Sequence, residues 1–126
     1  GNLAEGLGSN IFVVRDGALL TPREKFVLPG ISRQTVIDLA RAQDIPVAEA
    51  DIDLYDSYTA DEMFLTSTSL CLCPVTKING VGIGPDNQVW GPVTQRLAEA
   101  YSQFVGQDFV EQYLKRYHEG MEARAF

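Results

Sequence analysis

One carboxylate near the start of the chain is surrounded by small, turn-forming residues. Glu5 precedes Gly6 and Gly8, and the apolar run of residues 11–14 follows almost directly. Glycine permits tight backbone turns, and an apolar, β-favouring run predicts a strand. The pattern therefore predicts that Glu5 is presented just before a strand, where a carboxylate can stabilise a positive charge beside it.

A helix start with free backbone amides is predicted at Gly30, Ile31 and Ser32, because the amphipathic segment 32–42 follows them. The first N–H groups of a helix have no partner inside the helix, and the helix dipole favours an anion such as phosphate there. The Ser32 hydroxyl can add a further hydrogen bond to that anion. Alternatively Ser32 caps its own helix, and the two roles are compatible.

Hydroxyl-bearing residues separate two apolar, β-favouring runs, residues 63–66 and 70–75. Thr68 lies in this separator, where a hydroxyl and the neighbouring backbone amides can converge on a phosphate oxygen. Taken without its context, such a run of Ser and Thr is typical of an ordinary turn.

The order of these segments resembles that of the class IV aminotransferases, the pyridoxal-phosphate enzymes that include branched-chain and D-amino-acid aminotransferases. Their joint order and spacing, rather than any single segment, identify the family. The resemblance covers residues 1 to about 105. It is carried by residues 1–10, 11–22, 30–33, 60–68 and 74–80.

The resemblance implies a role for each candidate residue. It implies that Glu5 pairs with the pyridine nitrogen of pyridoxal 5′-phosphate and keeps it protonated, so that the ring can withdraw electrons. The cofactor phosphate is then bound by the helix start and by the hydroxyl turn. The implied cofactor-binding residues are Glu5, Gly30, Ile31, Ser32 and Thr68, and the implied substrate-binding residues are Ser69 and Leu70.

The chain departs from the family pattern at the implied substrate site. Branched-chain members usually carry two small alanines where Ser69 and Leu70 stand, so the chain need not share a branched-chain substrate. Many class IV members carry Thr at the position of Ser32, a change that keeps the hydroxyl group.

The lysine that forms a Schiff base with the cofactor is expected to lie outside this chain. The resemblance places it a few dozen residues before Glu5, and Lys25, Lys77 and Lys115 do not match that position. The expectation is a single domain over residues 1–126, the C-terminal cofactor-binding part of the enzyme. The N-terminal domain, the lysine segment and any catalytic residue are then absent from it.

The resemblance implies that the intact protein transfers an amino group between an amino acid or amine and a 2-oxo acid, as a homodimer, and that this chain alone is inactive. Two alternatives stay open. One is a non-catalytic remnant that binds a phosphorylated ligand or a partner, and the other is a lyase similar to those that act on aminodeoxychorismate.

Composition bears on the binding partners, the cellular setting and the state of the cysteines. The net charge is −7 and the ten basic residues form no run, which argues against nucleic-acid binding. No apolar stretch is long enough to span a bilayer, so a cytoplasmic setting is expected. Cys71 and Cys73 are expected to be buried free thiols, and no set of ligands with metal-site spacing accompanies them.

The elements that must position the candidate residues follow from periodicity and turn chemistry. Strands and helices together predict an α/β class with α+β layers, the class of the large C-terminal domain of the D-amino-acid aminotransferase-like fold. Arg33 is expected to be a solvated or ion-paired side chain at the helix start, or to lie beside the phosphate. The expected strands are residues 11–14, 18–20, 47–52, 63–66, 70–75 and 81–84, and the expected helical segments are residues 32–42, 53–58, 92–105 and 109–117.

Overall fold

A computed structural model describes residues 1–124, except the side chain of Asn87, as a mixed α/β arrangement. The strands are β1 (Glu5–Gly6), β2 (Ser9–Arg15), β3 (Ala18–Pro22), β4 (Val47–Ala50), β5 (Glu62–Ser67), β6 (Cys71–Pro74), β7 (Lys77–Ile78) and β8 (Val81–Gly82). The helices are α1 (Ile31–Ala42), α2 (Leu54–Tyr58), α3 (Pro92–Val105) and α4 (Phe109–Arg124). The predicted elements are confirmed, with β4, β6 and β8 shorter than expected and α4 longer.

Strand β2 is the centre of a six-stranded sheet with the order β4-β3-β2-β5-β6. Strand β1 pairs with the first residues of β2, on the edge that β3 occupies further along. Strand β3 runs parallel to β4, and the other pairs in this sheet are antiparallel. The sheet therefore brings β1, β2 and β5 side by side at the end where β2 begins.

The β2–β3 connection shows why this hairpin forms. Asp16 and Gly17 have φ angles of 50° and 75°. Two consecutive residues with positive φ match the right-handed twist of the strands, and Asp-Gly tolerates that conformation. Asn79 and Gly80, with φ angles of 50° and 81°, join β7 to β8 in the same way.

Helices α1 and α3 cover one face of the sheet, which we call the helix face. Alternate residues of β2 and β5 point to it, and the rings of Phe12 and Phe64 stack there with centroids 5.1 Å apart. Val36 of α1 and Leu97 of α3 are fully buried against them. A second apolar cluster around Val13 and Met63 occupies the opposite face.

The ion pairing expected for Arg33 is confirmed, but the side chain is buried rather than solvated. Its guanidinium is 1% exposed and pairs with Glu24 at 3.0 Å and with Glu49 at 3.2 Å. It also donates to the carbonyl of Pro22 at 3.2 Å. These partners come from segments distant in sequence, and they compensate for the desolvation of the charge.

Helix α4 differs from the expectation that an apolar stripe packs onto the body of the protein. Tyr113, Leu114 and Tyr117 are each more than half exposed, whereas Phe109 packs on the core through an edge contact with Tyr101 at 5.8 Å. No helix within residues 1–124 has the length and apolar character needed to cross a membrane.

Candidate functional site

Glu5 is held in place by two hydrogen bonds to the same carboxylate oxygen. Its Oε2 accepts from the backbone N–H of Leu28 at 2.9 Å and from Nδ2 of Asn10 at 3.2 Å. The side chain is exposed, and within residues 1–124 no bond to its Oε1 is seen. One oxygen therefore fixes the carboxylate to the protein, and the other stays free for a ligand.

Asn10 is a functional candidate that the sequence interpretation did not identify. It lies opposite Glu5 in the β1–β2 pair and is only 7% exposed. Its Nδ2 also donates to the carbonyl of Leu28 at 3.0 Å. The signal available in the sequence was an amide five residues after Glu5, but the contact with residue 28 follows only from the fold.

The start of α1 lies against Asn10. Gly30 is the N-cap residue, with φ −63° and ψ 141°, and a Cβ atom at this position would overlap Oδ1 of Asn10. In the described part of the chain no side chain caps the helix, and its first turn contains no acidic residue. The backbone amides of Ile31 and Ser32 therefore remain available to an anion.

The Ser32 hydroxyl contacts helix α3. Its side chain is buried, and Oγ lies 3.4 Å from the Tyr101 hydroxyl of α3. The prediction that Ser32 caps the helix is wrong because Gly30 holds the N-cap position. The Ser32 hydroxyl is thus buried beside Tyr101, whereas its backbone N–H belongs to the first turn of α1 and has no partner inside the helix.

A row of polar residues crosses three strands at this end of the sheet. Glu5 pairs with Asn10 across β1 and β2, and Asn10 pairs with Thr66 across β2 and β5. All three positions lie on the helix face, because Asn10 and Thr66 alternate with the stacked phenylalanines. Thr66 is 1% exposed, and its Oγ1 has no hydrogen-bond partner among residues 1–124.

The turn of residues 68–70 follows Thr66 at the same end of the sheet. Thr68 and Ser69 are exposed. The Leu70 amide donates to Oγ of Ser67 at 3.1 Å, so it would have to leave this bond to meet a substrate carboxylate. The Ser69 amide is the freer of the two predicted substrate contacts.

Helix α4 runs past this turn and leaves a groove of about 160 Å³ beside Thr68. Arg116 and Tyr113 line it from the helix, and Ser69 and Leu70 line it from the turn. Burial raises the pKa of the Cys71 thiol, which also lines the groove. The thiol therefore stays protonated and adds no negative charge beside the hydroxyls.

The structure brings the predicted residues to one end of the sheet in two groups. Glu5 and the start of α1 form one hydrogen-bonded unit through Asn10 and Leu28. Thr68 belongs to the second group, which is placed by β5 two residues beyond Thr66. Neighbouring strands lie about 5 Å apart, so the row of Glu5, Asn10 and Thr66 spans roughly 10 Å.

Four large apolar side chains near the first group are exposed to solvent. They lie close in sequence to Glu5 or to the start of α1, and we call them the apolar rim. These residues are Leu7, Phe26, Leu28 and Ile31.

The lysines and cysteines singled out in the sequence lie at exposed or half-buried positions. Lys25 lies over the Phe26 ring at 5.6 Å, and Lys77 and Lys115 are exposed. Cys71 and Cys73 are free and half-buried rather than buried. Within the described residues, no group of three or more His, Cys, Asp or Glu side chains is placed to hold a metal ion.

Comparison with known proteins places this arrangement in context. The family model described as amino-transferase class IV matches residues 1–78. The branched-chain-amino-acid aminotransferase of Pseudomonas aeruginosa is 38% identical over 105 residues, which are 83% of this chain and 34% of that protein. The D-alanine aminotransferase of Listeria monocytogenes is 38% identical over 100 residues, 79% of this chain and 34% of its own length.

A solved structure gives the same result for the fold. The branched-chain amino acid aminotransferase of T.th., determined with pyridoxamine 5′-phosphate, matches with a TM-score of 0.76 and 38% identity. The match covers 80% of this chain and 33% of that protein. The predicted α/β class and the fold-type IV architecture are confirmed for the matched part, and the chain spans about a third of the length of these relatives.

Proposed function

Because the chain belongs to class IV of the aminotransferases, we propose that it forms the pyridoxal-phosphate-binding part of an enzyme that transfers an amino group between an amino acid or amine and a 2-oxo acid. One observation carries the proposal. The Glu5 carboxylate is fixed through a single oxygen beside the open start of α1, so a group that pairs with an acid and a group that binds an anion are neighbours.

The residues present fit this cofactor. Gly30 lets the Asn10 side chain pack directly against the start of α1, and the amides at that start suit a phosphate dianion. Thr66 supplies a buried hydroxyl without a partner in the described chain. An acid for the pyridine nitrogen, amides for the phosphate and an apolar rim for the ring are thus all at one end of the sheet.

Each group of this chain has a separate task in the proposed enzyme. The bound cofactor supplies an electron-withdrawing ring. Oε1 of Glu5 holds a proton on the ring nitrogen through charge pairing, and the amides of Ile31 and Ser32 with the Thr68 hydroxyl hold the phosphate. Because Glu5 lies on a strand and the two amides lie at a helix start, these groups orient the ring with little motion.

The proton transfer at the substrate requires a base that these residues do not supply. We assign that role to a lysine outside residues 1–126, because Lys25, Lys77 and Lys115 lie on exposed surface. The Ser69 amide is the proposed contact for the substrate carboxylate. Ser69 and Leu70 together give this wall more bulk than two alanines would, which points to a substrate side chain of different shape.

The proposal includes a homodimer in the cytoplasm. The apolar rim and the exposed stripe of α4 provide surface that a subunit contact can cover. The free thiols of Cys71 and Cys73 suit a reducing compartment.

Binding of pyridoxamine 5′-phosphate to the full 126-residue chain tests the proposal. This amine form is the better probe because it has no aldehyde to react with surface lysines. We expect saturable binding by fluorescence titration, with an affinity that falls about tenfold in Thr68→Val when one charge-assisted hydrogen bond is lost. Thr76→Val, at a position outside the site, is the matched control and is expected to leave the affinity unchanged.

Two outcomes of these titrations would contradict the proposal. Equal affinity of Thr68→Val and Thr76→Val would remove the phosphate assignment from the turn. Failure of the parent chain to bind the probe would remove the cofactor role from this chain.

A further inference from the structure

We propose that Asn10 is a positioning residue that holds the Glu5 carboxylate in the orientation required by the cofactor ring and ties it to the start of α1. The inference rests on the proposed function. It assigns to Asn10 no contact with the cofactor, because its polar atoms are directed to Glu5, Leu28 and Gly30.

The Asn10 amide group uses both of its donor hydrogens within the protein. Its nitrogen has two hydrogens, and both have acceptors, one at Oε2 of Glu5 and one at the Leu28 carbonyl. Leu28 returns a bond from its own N–H to the same Glu5 oxygen. The three residues therefore form a closed ring of hydrogen bonds around one carboxylate oxygen.

The orientation of the amide follows from its partners. Two acceptors face one end of the Asn10 side chain, and only the amide nitrogen can satisfy both. The oxygen end is then directed to Gly30, where the absence of a Cβ makes room for it. A rotated amide would place an acceptor against a carboxylate and a carbonyl, which is unfavourable.

The consequence for Glu5 is a restricted side chain on an exposed strand. An unrestrained glutamate loses side-chain entropy when it is fixed. In this structure two hydrogen bonds already hold Oε2 before a ligand binds, so part of that entropy is lost in advance. Asn10 is thus expected to strengthen binding of a protonated ring nitrogen without touching it.

The test uses pyridoxamine 5′-phosphate and the full chain. We expect Asn10→Ala to weaken binding about tenfold, the effect of losing one hydrogen bond to a charged group. In a Glu5→Ala background the same change should weaken binding less than about twofold, because coupled residues are not additive. Asn79→Asp, in the exposed β7–β8 turn, is the control and should bind like the parent.

A second readout separates positioning from a general structural effect. The absorbance of the bound ring reports the pH at which its nitrogen loses a proton. We expect this pH to be lower in Asn10→Ala than in the parent, because Glu5 is no longer held against the charge. A variant that only loosens the protein would bind more weakly at every pH and leave this titration unchanged.

Asn10→Asp gives an isosteric version of the test if the alanine variant does not fold. It replaces the donor with an acceptor beside Oε2 of Glu5. The inference is overturned if Asn10 variants bind and titrate like the parent, if their effect is equal with and without Glu5, or if neither variant folds. Absence of binding by the parent would instead contradict the proposed function, and the inference would fail with it.

Discussion

The starts of helices α1 and α3 use the same backbone plan for opposite purposes. Each has an extended glycine at the N-cap, Gly30 or Gly91, without a capping bond from its own segment. Each glycine lies against a polar side chain from the sheet, Asn10 at the start of α1 and Glu62 at the start of α3. The two polar side chains differ in charge, and this difference determines whether the backbone N–H groups of the helix start remain unpaired.

At α3 the buried Glu62 carboxylate fills the helix start. Its oxygens accept from the N–H groups of Val93 at 3.0 Å and Thr94 at 2.7 Å. At α1 the neutral Asn10 directs its donors to Glu5 and Leu28 and leaves the helix amides unoccupied. The protein thus supplies its own anion at α3, whereas α1 is left for an external one.

The two helix starts lie at opposite ends of β5. Glu62 is its first residue, and Thr66 near its last residue belongs to the row with Asn10. The group that stabilises the fold and the group proposed to bind a ligand therefore lie at opposite ends of one strand. Changes at the Glu62 end should alter unfolding, and changes at the Asn10 end should alter ligand affinity.

The largest expected effect is the removal of the Glu62 carboxylate. Glu62→Ala leaves two buried amides without partners, and we expect the free energy of unfolding to fall by about 3 kcal/mol. Urea denaturation followed by circular dichroism measures it. Glu99→Ala, on the exposed face of α3, should change it by less than about 0.5 kcal/mol. An equal effect of the two changes would refute the capping role.

Replacing each of the two N-cap glycines with alanine distinguishes the two helix starts further. Gly91→Ala forces a methyl group against the Glu62 side chain and should lower stability by about 2 kcal/mol. Gly30→Ala meets only the end of the Asn10 side chain, so its cost in stability should be below about 1 kcal/mol. Its affinity for pyridoxamine 5′-phosphate should nevertheless fall, by about tenfold if the Asn10 bond is lost.

These measurements together decide whether the two ends are independent. If Gly91→Ala also weakens binding of the probe by folded protein, the ends are coupled through β5. The separation of stability and binding would then be wrong.

Local chemistry accounts for what the sequence could predict. The Asp16-Gly17 turn, the end of α3 at Gly106 in the left-handed conformation and the helical period of α1 depend on residues close in sequence. The family motif adds Glu5 and the helix start at Gly30. The fold confirms these elements and their order.

Long-range contacts account for what could not be predicted. Glu62 and Thr94 lie 32 residues apart, so the sequence does not show that Glu62 caps the helix that contains Thr94. Arg33 resembles any exposed helical arginine until the fold brings Glu24 and Glu49 to it. Asn10 gains its role only when Leu28, 18 residues away, closes the ring of hydrogen bonds.

The smallest expected effect concerns the ion pairs beside the start of α1. The backbone N–H of Glu24, followed by the Arg33 guanidinium, holds the pKa of Glu49 below its usual 4.5. The folded state therefore favours the ionised carboxylate. The resulting stability is complete well above pH 4.5 and is lost as the pH falls below that value and Glu49 takes up a proton.

Glu49→Gln should remove this contribution. The Glu49 side chain is 41% exposed, so solvent screening limits the loss of stability at pH 7 to less than about 1 kcal/mol. The variant should also lose less stability than the parent on acidification from pH 6 to pH 3, a range set by the lowered pKa. Urea titrations at each pH measure both quantities, with the exposed Glu119→Gln of α4 as control. If Glu49→Gln loses as much stability as the parent between pH 6 and pH 3, Glu49 does not contribute to the buried Arg33 network. Glu24 would then be the principal partner of Arg33.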